Sequence, residues 1–133
     1  MAVYEQRHPL IQHKMGLLRA KHTGTRQCRE LVAEIARLLT YEATRDLPLT
    51  PDVADAWCGE VPVERLAGKK LTVVPILRAG LGMLDGVLDV IPCAKISVIG
   101  MSRDEHSLQP RVYVSKLVPQ IHLRRALLVD PML

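Results

Sequence analysis

Arginine and aspartate side chains stand at the ends of the three most aliphatic stretches of this sequence. Arg78 comes directly after Leu71–Leu77, Arg103 follows a second aliphatic stretch after one intervening residue, and Asp130 ends a third. Guanidinium groups bind phosphate through paired, charge-assisted hydrogen bonds, and α/β sheets bind ligands at the carboxyl ends of their strands. These positions therefore indicate a site for a phosphorylated small molecule.

Two glycines next to Arg78 support the same chemistry. Gly80 and Gly82 let the backbone approach an anion closely, and the helix that begins nearby adds a favourable dipole. From the spacing alone a second interpretation stays open, in which Arg78 is a solvated arginine beside glycines that only turn the chain. For Arg103 the corresponding alternative is an arginine that lies in a surface turn and binds no ligand.

The elements that would position these residues form an α/β pattern. Continuous aliphatic stretches without alternation are typical of strands buried on both faces of a parallel sheet. Leucines spaced as on a helix follow the first stretch, and a polar turn leads into a returning strand after the second. The predicted strands are Leu71–Leu77, Ile96–Met101, Val112–Val118 and Ala126–Val129. The order of these elements along the chain, strand, helix, strand, hairpin and strand, predicts an α/β sheet with at least three buried strands.

The N-terminal part of the chain is predicted to be helical. Apolar residues between Leu31 and Leu39 recur on one helical face, and Thr25 is positioned to cap the helix start. Pro48 ends the helical segment, and residues 50–68 are predicted to be edge strands or loops. We therefore expect a single domain over residues 1–133, with a helical segment at 1–47 and part of an α/β core at 71–133.

Composition excludes several classes of protein. The 133 residues are 48% hydrophobic, too apolar for a disordered chain, and no apolar stretch approaches the roughly 20 residues of a membrane span. The first residues carry charges where a signal peptide is apolar, so we expect a cytoplasmic protein without a membrane partner. Three cysteines without a C-x-x-C pair, and five histidines at no ligand spacing, predict no protein-built metal site.

The net charge of +4 is compatible with an anionic partner, and its distribution disfavours nucleic acid. The basic residues are scattered, and Lys69-Lys70 and Arg124-Arg125 are the only adjacent pairs. Three tyrosines and one tryptophan are the only aromatic side chains that could stack on bases. A module that binds RNA, or one that completes its sheet with a partner, is kept as the alternative hypothesis.

Four motifs closely resemble uracil phosphoribosyltransferases, in the order of that family. They are His8-Pro9-Leu10-Ile11, Tyr41-Glu42-Ala43-Thr44-Arg45-Asp46, Pro75-Ile76-Leu77-Arg78-Ala79-Gly80-Leu81-Gly82 and Val129-Asp130-Pro131-Met132-Leu133. The resemblance extends through the whole chain and covers about the first two-thirds of a family member. We therefore expect this sequence to be part of a longer protein.

The resemblance implies a fold and a set of binding residues. The fold is the type I phosphoribosyltransferase α/β fold, a largely parallel sheet flanked by helices with a β-hairpin arm, here incomplete at its C-terminus. Arg103 would lie on a mobile hairpin, where Ser102 replaces an expected aromatic residue. The implied contacts to 5-phosphoribosyl 1-diphosphate are Arg78, Arg103, Asp130, Pro131, Met132 and Leu133, with Ala79 and Gly80 in the diphosphate loop. No residue is assigned a catalytic role.

The resemblance also implies a reaction. Members of this family join uracil to 5-phosphoribosyl 1-diphosphate and release UMP and diphosphate in pyrimidine salvage. Mg²⁺ is carried on the diphosphate, GTP is a possible activator, and family members are homo-oligomers. The 5′-phosphate cradle and the uracil-reading segment are absent from these residues, so we expect this chain alone to be inactive.

Overall fold

The computed structural model describes residues 3–68 and 71–132. Leu133, one of the predicted binding residues, lies outside the described residues. The elements in chain order are α1 (Pro9–Leu18), α2 (Thr25–Ala43), β1 (Leu49–Ala56), β2 (Gly59–Leu66), β3 (Thr72–Leu77), α3 (Leu81–Val90), β4 (Lys95–Ile96), β5 (Val98–Arg103), β6 (Pro110–Lys116), a 3₁₀ turn (Ile121–Leu123) and β7 (Ala126–Val129).

The main sheet is built around β3. Strand β7 pairs with β3 on one side, β4 and β5 pair with it on the other, and all of these pairings are parallel. Strand β6 returns antiparallel to β5 as a hairpin. This is the predicted fold class, a mostly parallel sheet with helices and an antiparallel hairpin.

Strand β3 is the most deeply buried element. Thr72, Val73, Val74 and Pro75 are all buried, because β3 has a strand on each side and helices against one face. The core cluster joins Val73 to Ala36 of α2, Met83 and Val87 of α3, and Val129 of β7. A Cβ at Gly86 would overlap the carbonyl group of Ala33, so glycine lets α2 and α3 cross closely.

The predicted helical face of α2 is confirmed, and its predicted cap is wrong. Leu31 and Ile35 are buried, as the spacing of the apolar residues requires. The N-cap is Gly24, which has no side chain to cap the helix, and Thr25 is the first helical residue. An N-cap residue must adopt an extended backbone, which Gly24 has with a ψ angle of 163°.

Residues 49–66 form a separate two-stranded sheet, where the sequence predicted edge strands or loops. Strands β1 and β2 pair from Leu49↔Leu66 to Ala56↔Gly59. Both strands are edge strands, which is where prolines are tolerated because one backbone edge needs no partner. Val53 and Leu66 are exposed, and Trp57 at the turn is 99% exposed. This hairpin therefore extends away from the core.

None of the helices within residues 3–68 and 71–132 combines the length and the apolar character that crossing a membrane requires.

Thr72→Val should stabilise the protein. The Thr72 hydroxyl is buried with no hydrogen-bond partner among the described residues. An unpaired buried hydroxyl costs about 1–3 kcal/mol, and valine has nearly the same shape, so we expect the free energy of unfolding to rise by about 1 kcal/mol. Chemical denaturation measures this change.

Thr40→Val is the matched control, because the buried Thr40 hydroxyl donates a hydrogen bond to the Ala36 carbonyl at 2.7 Å. It should bring no gain in stability. A Thr72→Val protein no more stable than the native one would contradict the prediction.

Candidate active site

The parallel register brings the predicted residues to one edge of the sheet. Leu77 pairs with Gly100 and Pro75 pairs with Val129, so β3, β5 and β7 all end on the same side. An open cleft of about 360 Å³ lies there. Its lining residues are Ile76, Leu77, Arg78, Ala79, Met101, Ser102, Arg103, Leu108, Pro110 and Asp130. The structure thus brings Arg78, Ala79, Arg103 and Asp130 together.

The loop after β3 is held by backbone hydrogen bonds. The N–H of Gly80 donates to the Ile76 carbonyl at 2.8 Å, and the N–H of Leu81 donates to the Arg78 carbonyl at 3.2 Å. The backbone N–H groups at the start of helix α3 are therefore already hydrogen-bonded within the protein. An anion in the cleft would meet the exposed Arg78 guanidinium and the exposed backbone at Ala79.

Gly80 is buried, and the absence of a side chain lets backbone atoms of β3 and β7 pack against it. A Cβ at this position would lie 2.6 Å from the Ile76 nitrogen and against the Val129 carbonyl oxygen. Glycine therefore lets the loop pack directly onto the ends of β3 and β7. Because the loop packs against Val129, Arg78 and Ala79 lie beside Asp130, the residue after Val129 in the chain.

The cleft has a positive excess of charge. Its lining contains two arginines and one aspartate. Within residues 3–68 and 71–132, neither Arg78 nor Arg103 forms an ion pair, whereas six other arginines do: Arg7, Arg26, Arg37, Arg45, Arg65 and Arg125. Unpaired guanidinium groups from two different strands suit a multiply charged anion.

Asp130 is half-buried at the end of β7. Its Oδ1 atom accepts a hydrogen bond from the Met132 N–H at 3.0 Å, which closes a tight turn over Pro131. Pro131 and Met132 flank the cleft and do not line it. The turn fixes the Asp130 carboxylate at the strand end.

Arg103 is the last residue of β5, where the sequence placed it in the turn. Strand β6 begins at Pro110, which pairs with Arg103, so the hairpin is longer than predicted. The turn contains Asp104, whose pKa is lowered mainly by the backbone N–H of Ser107, then by the Ser107 hydroxyl and the N–H of His106. The hydrogen bonds of the ionised carboxylate hold this turn.

Leu108 is one of several residues of the cleft lining that the sequence did not predict, together with Met101 and Pro110. It lies in the polar turn, has a positive φ of 58° and is 65% exposed. Its only signal in the sequence is that it is the single aliphatic residue between Arg103 and Pro110. An exposed leucine in the lining gives the cleft an apolar side chain beside its charged ones.

The described residues contain no group of three or more histidine, cysteine, aspartate or glutamate side chains placed to hold a metal ion. Asp130 is the one carboxylate in the cleft lining. Mg²⁺ commonly binds through one or two carboxylates together with substrate phosphates. The donor set therefore fits a magnesium ion that arrives on a diphosphate.

A larger cavity of about 540 Å³ lies at the opposite end of β3, near Leu71 and Leu123. Its two arginines, Arg65 and Arg125, are paired with Asp52 and Asp46. Among the described residues that line it, the charges are thus already compensated. The smaller cleft is the better candidate for an anion site.

The architecture is that of a phosphoribosyltransferase fold. It has a parallel sheet with a tight loop after β3, an aspartate after the neighbouring strand β7, and a hairpin arm formed by β5 and β6. The family model for uracil phosphoribosyltransferase matches residues 5–133. The chain belongs to the uracil phosphoribosyltransferase family.

A solved structure has the same fold. It is described as the structure of the AQ2163 protein from Aquifex aeolicus, and it matches with a TM-score of 0.89 and 35% sequence identity. The match covers 96% of this chain and 61% of that protein. The chain therefore spans less than two thirds of its solved relative.

Gly80→Ala should destabilise the protein and disturb the cleft. The added methyl group must displace the backbone of β3 or β7, and overpacking of this kind costs about 1–3 kcal/mol. Denaturant unfolding measures the loss.

Gly16→Ala is the control, because Gly16 lies inside α1 with no atom within 4 Å of an added Cβ. Alanine there should raise stability by about 0.5–1 kcal/mol. If Gly80→Ala behaved like Gly16→Ala, the packing role of Gly80 would be wrong.

Proposed function

We propose that the cleft binds 5-phosphoribosyl 1-diphosphate and that the whole protein transfers its phosphoribosyl group to uracil. The observation that carries this proposal is the meeting of Arg78 and Arg103, both without ion pairs among the described residues, with Asp130 at the ends of three parallel strands. Family membership supports the choice of substrates. The products are UMP and diphosphate, as in pyrimidine salvage.

The charges of the cleft fit the chemistry of this transfer. A bond forms between a ring nitrogen of uracil and the anomeric carbon, and that nitrogen gives up its proton. The bond from the anomeric carbon to the diphosphate oxygen breaks, and diphosphate leaves. Positive charge develops on the ribose and negative charge on the departing diphosphate. Fixed guanidinium groups stabilise the departing anion, because they need no reorganisation when the charge appears. Arg78 and Arg103 are assigned this role.

Asp130 is assigned to the ribose. A carboxylate accepts hydrogen bonds from neighbouring hydroxyl groups, and its turn with Met132 holds it in place. This contact would orient the anomeric carbon toward uracil, which lowers the entropy cost of the reaction. When bound, Mg²⁺ would neutralise diphosphate charge, and Asp130, a carboxylate of the cleft lining, would assist in holding it.

The remaining expectations rest on the family alone. The loop expected to cradle the 5′-phosphate, and the segment expected to read uracil, have no counterpart within these 133 residues. We therefore expect the 133-residue chain by itself to form no UMP. Activation by GTP and a cytoplasmic location stay predictions.

We also propose that the protein is a homo-oligomer. The β1–β2 hairpin extends from the core with Trp57 almost fully exposed and Val53 half exposed. Tyr41, the first residue of the second of the four motifs, is 69% exposed. Apolar and aromatic side chains presented in this way favour contact with another copy.

The alternative hypothesis, a non-catalytic module that binds RNA or completes its sheet with a partner, makes a different prediction. Its RNA affinity would fall steeply with salt, because phosphate contacts release counterions. Binding of 5-phosphoribosyl 1-diphosphate in the cleft would instead favour the transferase.

Arg78→Ala should weaken binding of 5-phosphoribosyl 1-diphosphate by about 10- to 100-fold, because a charge-assisted contact to the diphosphate is lost. Affinity for uracil should change little. Isothermal titration calorimetry with Mg²⁺ present measures both ligands on the purified whole protein, which is expected to include the uracil-reading segment.

The matched control is Arg29→Ala, which removes the same charge from an exposed position on α2. It should leave both affinities within about twofold of the native values. Equal losses for both ligands in Arg78→Ala, or no loss, would remove Arg78 from the site.

A further inference from the structure

The hairpin arm that carries Arg103 is held by few contacts. Beyond Gly100, every residue from Met101 to Tyr113 is exposed. A register shift between Gly100 and Met101 marks the point where the arm leaves the sheet. Bulges bend a strand and redirect its side chains. The position of Arg103 therefore depends on the hydrogen bonds within the arm itself.

Asp104, the residue after Arg103, closes the turn through three of its groups. Its N–H donates to the Gln109 carbonyl at 3.0 Å, and its carbonyl accepts from the Leu108 N–H at 2.9 Å. Its Oδ1 atom accepts from the N–H of His106 at 3.1 Å, and from the N–H and hydroxyl of Ser107 at 2.8 and 2.9 Å. The carboxylate thus holds His106 and Ser107, and the backbone groups of the same residue hold Leu108 and Gln109.

The same turn places Leu108 in the cleft. Leu108 has a left-handed backbone, which an L residue with a Cβ adopts at a cost. The hydrogen bonds to Asp104 offset that cost and fix where the leucine lies. Arg103 and Leu108, on either side of the turn, both line the cleft.

We propose that Asp104 is a positioning residue, which presents Arg103 and Leu108 to the ligand by accepting hydrogen bonds across the hairpin turn. This inference rests on the proposed function of the cleft. Asp104 acts through the side-chain oxygen that accepts these hydrogen bonds. Its negative charge does not help to bind the ligand, because a carboxylate repels a diphosphate that is close to it. A turn that is already ordered reduces the entropy lost when Arg103 is immobilised on the ligand.

The test compares three variants of the whole protein by calorimetry with 5-phosphoribosyl 1-diphosphate and Mg²⁺. Asp104→Ala removes the acceptor and should weaken binding by about five- to tenfold. Asp104→Asn keeps an acceptor oxygen without the charge and should bind within about twofold of the native protein. Glu105→Ala removes a neighbouring charge outside the turn's hydrogen bonds and should also bind within about twofold.

A double-mutant cycle tests whether Asp104 acts through Arg103. In an Arg103→Ala background, Asp104→Ala should cause less than about a twofold further loss, because the side chain that it positions is gone. The melting temperature should be the same for all variants, since the arm is exposed. If Asp104→Ala weakened binding in the Arg103→Ala background as much as it does in the native protein, Asp104 would not act through Arg103.

Three results would overturn the inference while the proposed function stands. They are an Asp104→Ala protein that binds as the native one, an Asp104→Ala protein that binds more tightly, and an Asp104→Asn protein as weak as Asp104→Ala. A native protein that binds no 5-phosphoribosyl 1-diphosphate would overturn the proposed function, and the inference would fall with it.

Discussion

Parallel pairing of β3 with a strand on each side is the constraint on which the rest of the described structure depends. It buries Thr72 to Pro75 and gives α2 and α3 a surface to cover. It also brings the ends of β5 and β7 beside the end of β3. Residues separated by more than fifty positions in the chain, such as Arg78 and Asp130, therefore meet in one cleft. Gly80 completes the arrangement because its missing Cβ lets the loop rest on β7.

Ion pairing distinguishes the two arginines of the cleft from six of the arginines elsewhere in the described residues. Several arginines elsewhere have carboxylate partners, including Arg37 with Asp89 and Arg125 with Asp46. Exposed pairs of this kind contribute little to stability. Arg78 and Arg103 have no such partner among the described residues, so an incoming anion need not displace a carboxylate. This difference explains why the smaller cleft, and not the larger apolar cavity, suits a diphosphate.

Much of the fold could be predicted from the sequence where burial leaves a periodic signal. The aliphatic stretch Leu71–Leu77 predicted the central strand, and the apolar residues of α2 predicted its buried face; both are confirmed. The β1–β2 hairpin was described only as edge strands or loops. Its side chains are mostly exposed, and only short stretches alternate between half-buried and exposed residues, so the periodic signal is weak.

The candidate site was predictable where a residue directly follows a buried strand. Arg78 and Asp130 do so, and the parallel register then brings them together. Arg103 was placed in a turn because the exposed end of β5 has a polar sequence. Leu108 was missed because its location depends on a left-handed turn held by Asp104, which no local propensity of leucine indicates. The ligand roles of these residues stay predictions.

The most direct test of the candidate site is a nuclear magnetic resonance titration of the isotopically labelled whole protein with 5-phosphoribosyl 1-diphosphate and Mg²⁺. If the ligand binds in the cleft, the largest shifts in backbone resonances occur at Arg78 and Ala79, at Arg103 and at Asp130. Shifts concentrated instead around Leu71 and Leu123, at the opposite end of the strands, would contradict binding in the cleft.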